Sequence, residues 1–146
     1  MYVKVINNEV VKFPYTSTDL RRDNPSKSFP ENVTEQAFLL HGAYPVTLTD
    51  VPDYDSATHR VNQSVHLVDG VWTQRWTLEE VPQGRASSNI RGKRNVELSN
   101  SDWTQFTDSP LSSEKKLEWS QYRTNLRALP EQEGFPYNVN WPTKPE

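Results

Sequence analysis

The order of apolar and polar positions divides the chain into short elements. Tyr2-Val3-Lys4-Val5-Ile6 and Glu9-Val10-Val11-Lys12-Phe13 flank Asn7-Asn8. Asparagine tolerates the positive φ of a tight turn, so the pattern predicts a β-hairpin, stopped by Pro14. Ser17 is placed to cap one short helical turn, Thr18 to Asn24, closed by Pro25. Ala37-Phe38-Leu39-Leu40 predicts a second helix, with Asn32 or Thr34 as its cap and Gly42 as its stop. Residues 44–49 read as a short strand. Asp69-Gly70, a favoured pair for a type I′ turn, centres a second hairpin. Pairing outward places Leu67 opposite Trp72, Val65 opposite Gln74 and Val61 opposite Leu78. One face then carries Val61, Val65, Leu67, Trp72, Trp76 and Leu78, and the other is mostly polar. Such alternation predicts a half-buried antiparallel pair with Trp72 and Trp76 in the core.

Beyond Pro82 the pattern fades. Residues 83–98 contain two glycines and several basic residues with little to bury, which reads as a solvated linker. A basic patch for nucleic acid is the sharper alternative, but no aromatic residues interleave with its charges. Ser112 or Ser113 then caps a helix running to Leu129. Its first turn holds Glu114 and its last holds Arg127, both favourable to the helix dipole. Trp119, Tyr122, Leu126 and Leu129 recur at helical spacing as one apolar stripe, with Lys115, Lys116, Arg123 and Arg127 on other faces. Pro130 ends the helix. The remainder is expected to be an extended, polyproline-like tail carrying Phe135, Tyr137 and Trp141. The expected fold is α+β: N-terminal antiparallel β-hairpins with two short helices over 1–82, a linker over 83–98, and a C-terminal amphipathic helix with an extended Pro/aromatic tail over 99–146.

Composition narrows the function more than the fold. A chain of 146 residues, 34% hydrophobic and with eleven prolines, supports a thin core that leans on its five tryptophans, six tyrosines and five phenylalanines. A net charge of −3 gives no reason to expect nucleic acid as a partner. The absence of cysteine removes disulfides, thiol nucleophiles and zinc–thiolate sites. The start is too polar for a signal peptide, and no apolar run approaches the ~18 residues of a membrane span. A soluble protein of a reducing cytoplasm is expected.

Catalytic patterns are missing. The chain has no Gly-x-Ser-x-Gly elbow, no phosphate-binding Gly-x-x-x-x-Gly-Lys loop, no Gly-x-Gly-x-x-Gly and no His-Glu-x-x-His. Nothing could hold nucleotide phosphates, so an ATP-driven activity is disfavoured. Asp53, Asp55 and His59 are the nearest approach to a metal set, and two acids and one imidazole on a Pro-flanked loop are commonplace. No enzyme, no cofactor and no metal is therefore expected.

The aromatic residues of the last third carry the remaining signal. An apolar helix stripe is more often the inside of a fold than a docking face. Here, however, that third offers one convincing helix and no strand to cover it. On this reading Trp103, Trp119, Tyr122, Leu126, Leu129, Phe135, Tyr137 and Trp141 are candidate partner-binding residues.

Several of these residues fall in an ordered run: Arg94-Asn95-x-x-Leu98-x-x-Ser101-Asp102-Trp103-Thr104-Gln105, Pro110-Leu111-Ser112, Trp119-x-x-Tyr122-Arg123-x-x-Leu126-Arg127-x-Leu129-Pro130, Gly134-Phe135-Pro136 and Trp141-Pro142. The run resembles the C-terminal signature of the phage tail assembly chaperone family, and more loosely it is similar to lambdoid tail fibre assembly proteins. Pro14-Tyr15, Leu20-Arg21-x-Asp23-Asn24-Pro25, Ser28-Phe29-Pro30 and Tyr44-Pro45-Val46 fit the front half of such proteins. Relatives usually carry a long charged helix before Asp-Trp-Thr-Gln, where this chain shows only the linker. The resemblance implies an assembly factor that binds a phage tail fibre or other tail protein without ATP, in the host cytoplasm. The alternative is a permanent structural component of the virion tail, as a fibre-tip cap or tail adaptor. A tail-associated glycan hydrolase or binder is a weaker third reading.

Overall fold

A computed structural model describes all residues from Met1 to Glu146. It is α+β and separates into two compact units: Met1–Asp53 with Val61–Leu78, and Tyr54–Arg60 with Glu79–Glu146.

The first unit is built on β1 (Tyr2–Ile6), β2 (Glu9–Tyr15), β3 (Ala43–Thr47), β4 (His59–Val68) and β5 (Val71–Glu80), of which β4 and β5 end in the second unit. The strands form one sheet in the order β2-β1-β3-β5-β4. The two hairpins are thus joined by β3, which runs antiparallel to β1 and parallel to β5, pairing Val46 with Trp72. This mixed sheet replaces the purely antiparallel arrangement expected from the hairpins. Both turns have the backbone their residues favour, with positive φ at Asn7, Asn8, Asp69 and Gly70. Pro14 does not end β2. That strand lies at the sheet edge, where a missing N–H costs no ladder bond, and it continues to Tyr15.

Two short helices complete the unit. In α1 (Ser17–Asp23) the cap is Thr16 rather than Ser17. Its hydroxyl accepts from the Asp19 N–H, and the Asp19 carboxylate accepts from the Thr16 N–H at 2.9 Å. Lys12 adds an ion pair to the same carboxylate. In α2 (Glu35–Leu40) the cap is Thr34. Tyr15, Leu20, Phe38 and Ala43 form one core cluster, while Val3, Val46 and Val65 form another, against which Trp72 packs. Alternation placed Leu67 and Leu78 on a covered face, but both remain exposed, and Trp72 and Trp76 are half-buried.

In the second unit, the segment expected to be a linker is the longest helix of the protein, α3 (Gln83–Asn100). Its apolar stripe is thin, Ala86 and Ile90 being its only buried residues. Polar anchors compensate. Asn89 donates to the Ala57 carbonyl at 2.9 Å, and Lys93 pairs with Asp55 at 2.7 Å. Burial pushes the Asp55 carboxyl up, but Lys93 and the Ala57 N–H outweigh it and hold the group below its ordinary value. A long helix therefore does precede the Asp-Trp-Thr-Gln segment. A 3₁₀ turn over Asp102–Gln105 leads to α4 (Ser113–Ala128), capped by Ser112, and a second 3₁₀ turn covers Leu129–Glu131.

Candidate protein-docking surface

α3 changes the meaning of the α4 stripe. Trp119, Tyr122, Leu126 and Leu129 form a buried cluster, with Leu98, Leu111 and Val139 packed against it. Trp119 is 6% exposed and Tyr122 5%, and the two leucines are fully enclosed. The expectation that the body of the chain cannot shelter this stripe is corrected, because Leu98 at the end of helical α3, with Leu111 and Val139, packs over it. At roughly 1.5–3 kcal/mol for each large apolar side chain buried, these four residues stabilise the unit.

Polar groups lock the same seam. The Tyr122 hydroxyl donates to the Glu97 carboxylate at 3.1 Å. Burial, then that hydrogen bond and the Glu97 charge, raises the Tyr122 phenol above its ordinary value. Arg123, expected on a solvated face, is buried. Its guanidinium donates to the Leu98 carbonyl at 2.6 Å and the Ser101 hydroxyl at 2.7 Å, and pairs with Asp102 at 2.7 Å. Ser101 Oγ also donates to the Glu97 and Leu98 carbonyls. Arg123 and Ser101 thus add side-chain hydrogen bonds to carbonyls at the end of α3, where the intrahelical pattern runs out. The signal available in the sequence was Arg123 beside Tyr122 on the inward stripe, 21 residues after Asp102.

The remaining candidates divide. The Trp103 ring is 44% exposed, with its centroid 6.2 Å from that of Trp119. Phe106, three residues further along the chain and not among the sequence-based candidates, is 58% exposed. The tail is not extended throughout. Residues 133–137 form compact turns in which the Arg91 guanidinium stacks 5.0 Å from the half-buried Phe135 ring. The Tyr137 hydroxyl donates to the Val81 carbonyl at 2.7 Å. Trp141, 37% exposed, borders an open groove of about 430 Å³ with Pro142, Tyr122, Lys93, Val96 and Glu97. Trp103 and Trp141 are thus the predicted rings left accessible, while Phe135 and Tyr137 are tied into the fold.

No group of three His, Asp or Glu side chains converges on a metal-sized site, and no helix is long and apolar enough to cross a membrane. What the second unit offers is a rigid helical body with accessible rings on its surface, an arrangement suited to binding protein.

Comparison with known proteins gives that surface a family context. The family model described as phage tail assembly chaperone protein matches residues 87–146, from the first turns of α3 through the tail. No curated protein and no solved structure matches the chain.

Proposed function

We propose that this protein is a tail or tail-fibre assembly chaperone that binds newly made fibre protein stoichiometrically and without ATP. The observation that carries the reading is the family match over residues 87–146, the segment that builds α3, α4 and the tail. The absence of a phosphate-binding loop in the sequence supports a passive mode of action. The contact surface on this reading is not the α4 stripe but Trp103 with Phe106, together with the groove edged by Trp141. Trp119, Tyr122, Leu126 and Leu129 act indirectly by fixing the body that presents those rings.

Expression of a phage tail-fibre protein with and without this chain, scored by fibre solubility and trimer formation, tests the role. Equal trimer yield in both arms rejects it. Trp103→Ala is expected to weaken co-purification with fibre while the far-UV circular dichroism stays native. Trp119→Ala is expected to unfold the second unit. Mass spectrometry of purified virions separates the structural alternative, since a fixed copy number on the particle would favour a retained tail component.

A further inference from the structure

The end of the chain is held in an unusual way. Gln132 clamps Asn140 by two hydrogen bonds, accepting from its N–H at 2.7 Å and donating to its carbonyl at 3.0 Å. Beyond that clamp, residues 141–146 make no hydrogen bond or ion pair. They are nevertheless laid against the helices. Pro142 and Tyr122 border the groove of about 430 Å³. The same two residues border a second groove of about 460 Å³, lined also by Pro145 and by Glu118, Gln121 and Asn125 of α4. Tyr122 and Pro142 are thus shared by two grooves, and open room lies beside the segment where it meets Tyr122.

The occupant also has a recognisable chemistry. Trp141-Pro142-Thr143-Lys144-Pro145 places two prolines at Pro-x-x-Pro spacing directly after an aromatic residue. Such segments lose little entropy on docking and need no backbone ladder, so a surface offering one ring, Tyr122, an aliphatic neighbour, Val96, and polar side chains can hold them through ring, proline and side-chain contacts alone. We propose that the seam of α3 and α4 at Tyr122 is a recognition site for an extended Pro-x-x-Pro segment led by an aromatic residue. Residues 141–146 hold this site in cis until a partner's segment of that chemistry replaces them. The inference stands on the seam itself and does not require the partner to be a tail fibre.

The test uses the full chain and a chain ending at Asn140. The shortened chain keeps every hydrogen bond and every member of the buried cluster. The probe is a labelled synthetic peptide of residues 141–146, followed by fluorescence anisotropy. Saturable binding to the shortened chain is expected. Binding to the full chain should be weaker by about tenfold or more, because the tethered copy competes at a high effective concentration. A peptide with Pro142→Ala and Pro145→Ala should lose the binding. In the full chain alone, hydrogen exchange should find the amides of Trp141, Thr143 and Lys144 unprotected while α4 remains protected. Absence of saturable binding to a folded shortened chain, or equal binding to both chains, would overturn the proposal. Unfolding of the shortened chain would overturn it too, by showing the segment to be structural.

Discussion

Whether the α4 stripe is core or docking face depends on α3, and two glycines in α3 allow that helix to be tested directly. A Cβ built at Gly84 or Gly92 meets nothing within 4 Å, and neither residue has positive φ. Alanine is favoured over glycine in a helix interior by about 0.8–1 kcal/mol. Gly92 lies in the middle of the helix and should gain most of that. Gly84 lies in the first turn and should gain about half. Gly84→Ala with Gly92→Ala is therefore expected to stabilise the second unit by about 1–1.5 kcal/mol. With a urea m-value of about 1–3 kcal/mol/M, that moves the unfolding midpoint up by roughly 0.3–1.5 M.

The assay is urea denaturation of the full chain followed by circular dichroism at the helical minimum. Gly70→Ala provides an internal control. It has the same open space around an added Cβ but a φ of +80°, so alanine there is strained and should destabilise. In a solvated linker the chain would be equally free before and after unfolding, and the double substitution would leave the midpoint unmoved. An unmoved or lowered midpoint would refute the helix, and with it the argument that α3 covers the stripe.

Two further outcomes follow from the polar groups. Arg123→Ala removes two short charge-assisted hydrogen bonds worth about 1.5–3 kcal/mol each, and a pair with the exposed Asp102 carboxylate that adds little, although Ser101 Oγ still donates to the Leu98 carbonyl. The expected net loss is about 2–4 kcal/mol, against no more than about 0.5 for the exposed Arg127→Ala, both read by urea denaturation. Equal losses would show that the Arg123 contacts contribute nothing. Burial, then the Asp23 partner, pushes the Tyr15 phenol up to about 12. The unfolded chain releases this proton near the ordinary value of 10, so the contribution of neutral Tyr15 is complete below pH 10 and is lost as pH rises toward about 12. Tyr15→Phe should flatten the alkaline decline in stability of the first unit, and an unchanged slope would assign the decline to other groups.

Local chemistry was legible where it acts alone. Asn7-Asn8 and Asp69-Gly70 set their turns, and Thr34 and Ser112 cap their helices, because each choice is decided within a few residues. α3 was not legible, since its stability comes from outside its own sequence. Ala86 and Ile90 make too thin a stripe to announce a helix. The groups that hold it, Asp55, the Ala57 carbonyl and Arg123, lie about 20 to 40 residues away in the chain. The consequence reaches the site. Without a helix at 83–98 the sequence offers no cover for the α4 stripe, and periodicity alone does not separate an apolar core from a docking face.

The burial of that stripe also bears on what the family signature encodes. Leu98, Ser101, Thr104, Trp119, Tyr122, Arg123, Leu126, Leu129 and Pro136 all carry the resemblance, and all but the half-buried Leu98 are buried. Their side chains pack against one another or close the end of α3. A signature of this kind specifies a framework, since replacing any one member leaves a cavity or an unpaired buried group. Residues that select a partner are under the opposite constraint and must stay accessible. Within the signature, that condition is met by Asn95, Asp102, Trp103, Gln105, Pro110, Ser112, Arg127 and Trp141, which are exposed, and of these Trp103 and Trp141 alone carry large rings. Two proteins sharing this signature would therefore share the α3–α4 body while differing in partner through the few side chains it displays. Partner specificity in this chain should accordingly follow substitutions at Trp103, Phe106 and the Trp141 groove, and be indifferent to conservative repacking of the stripe.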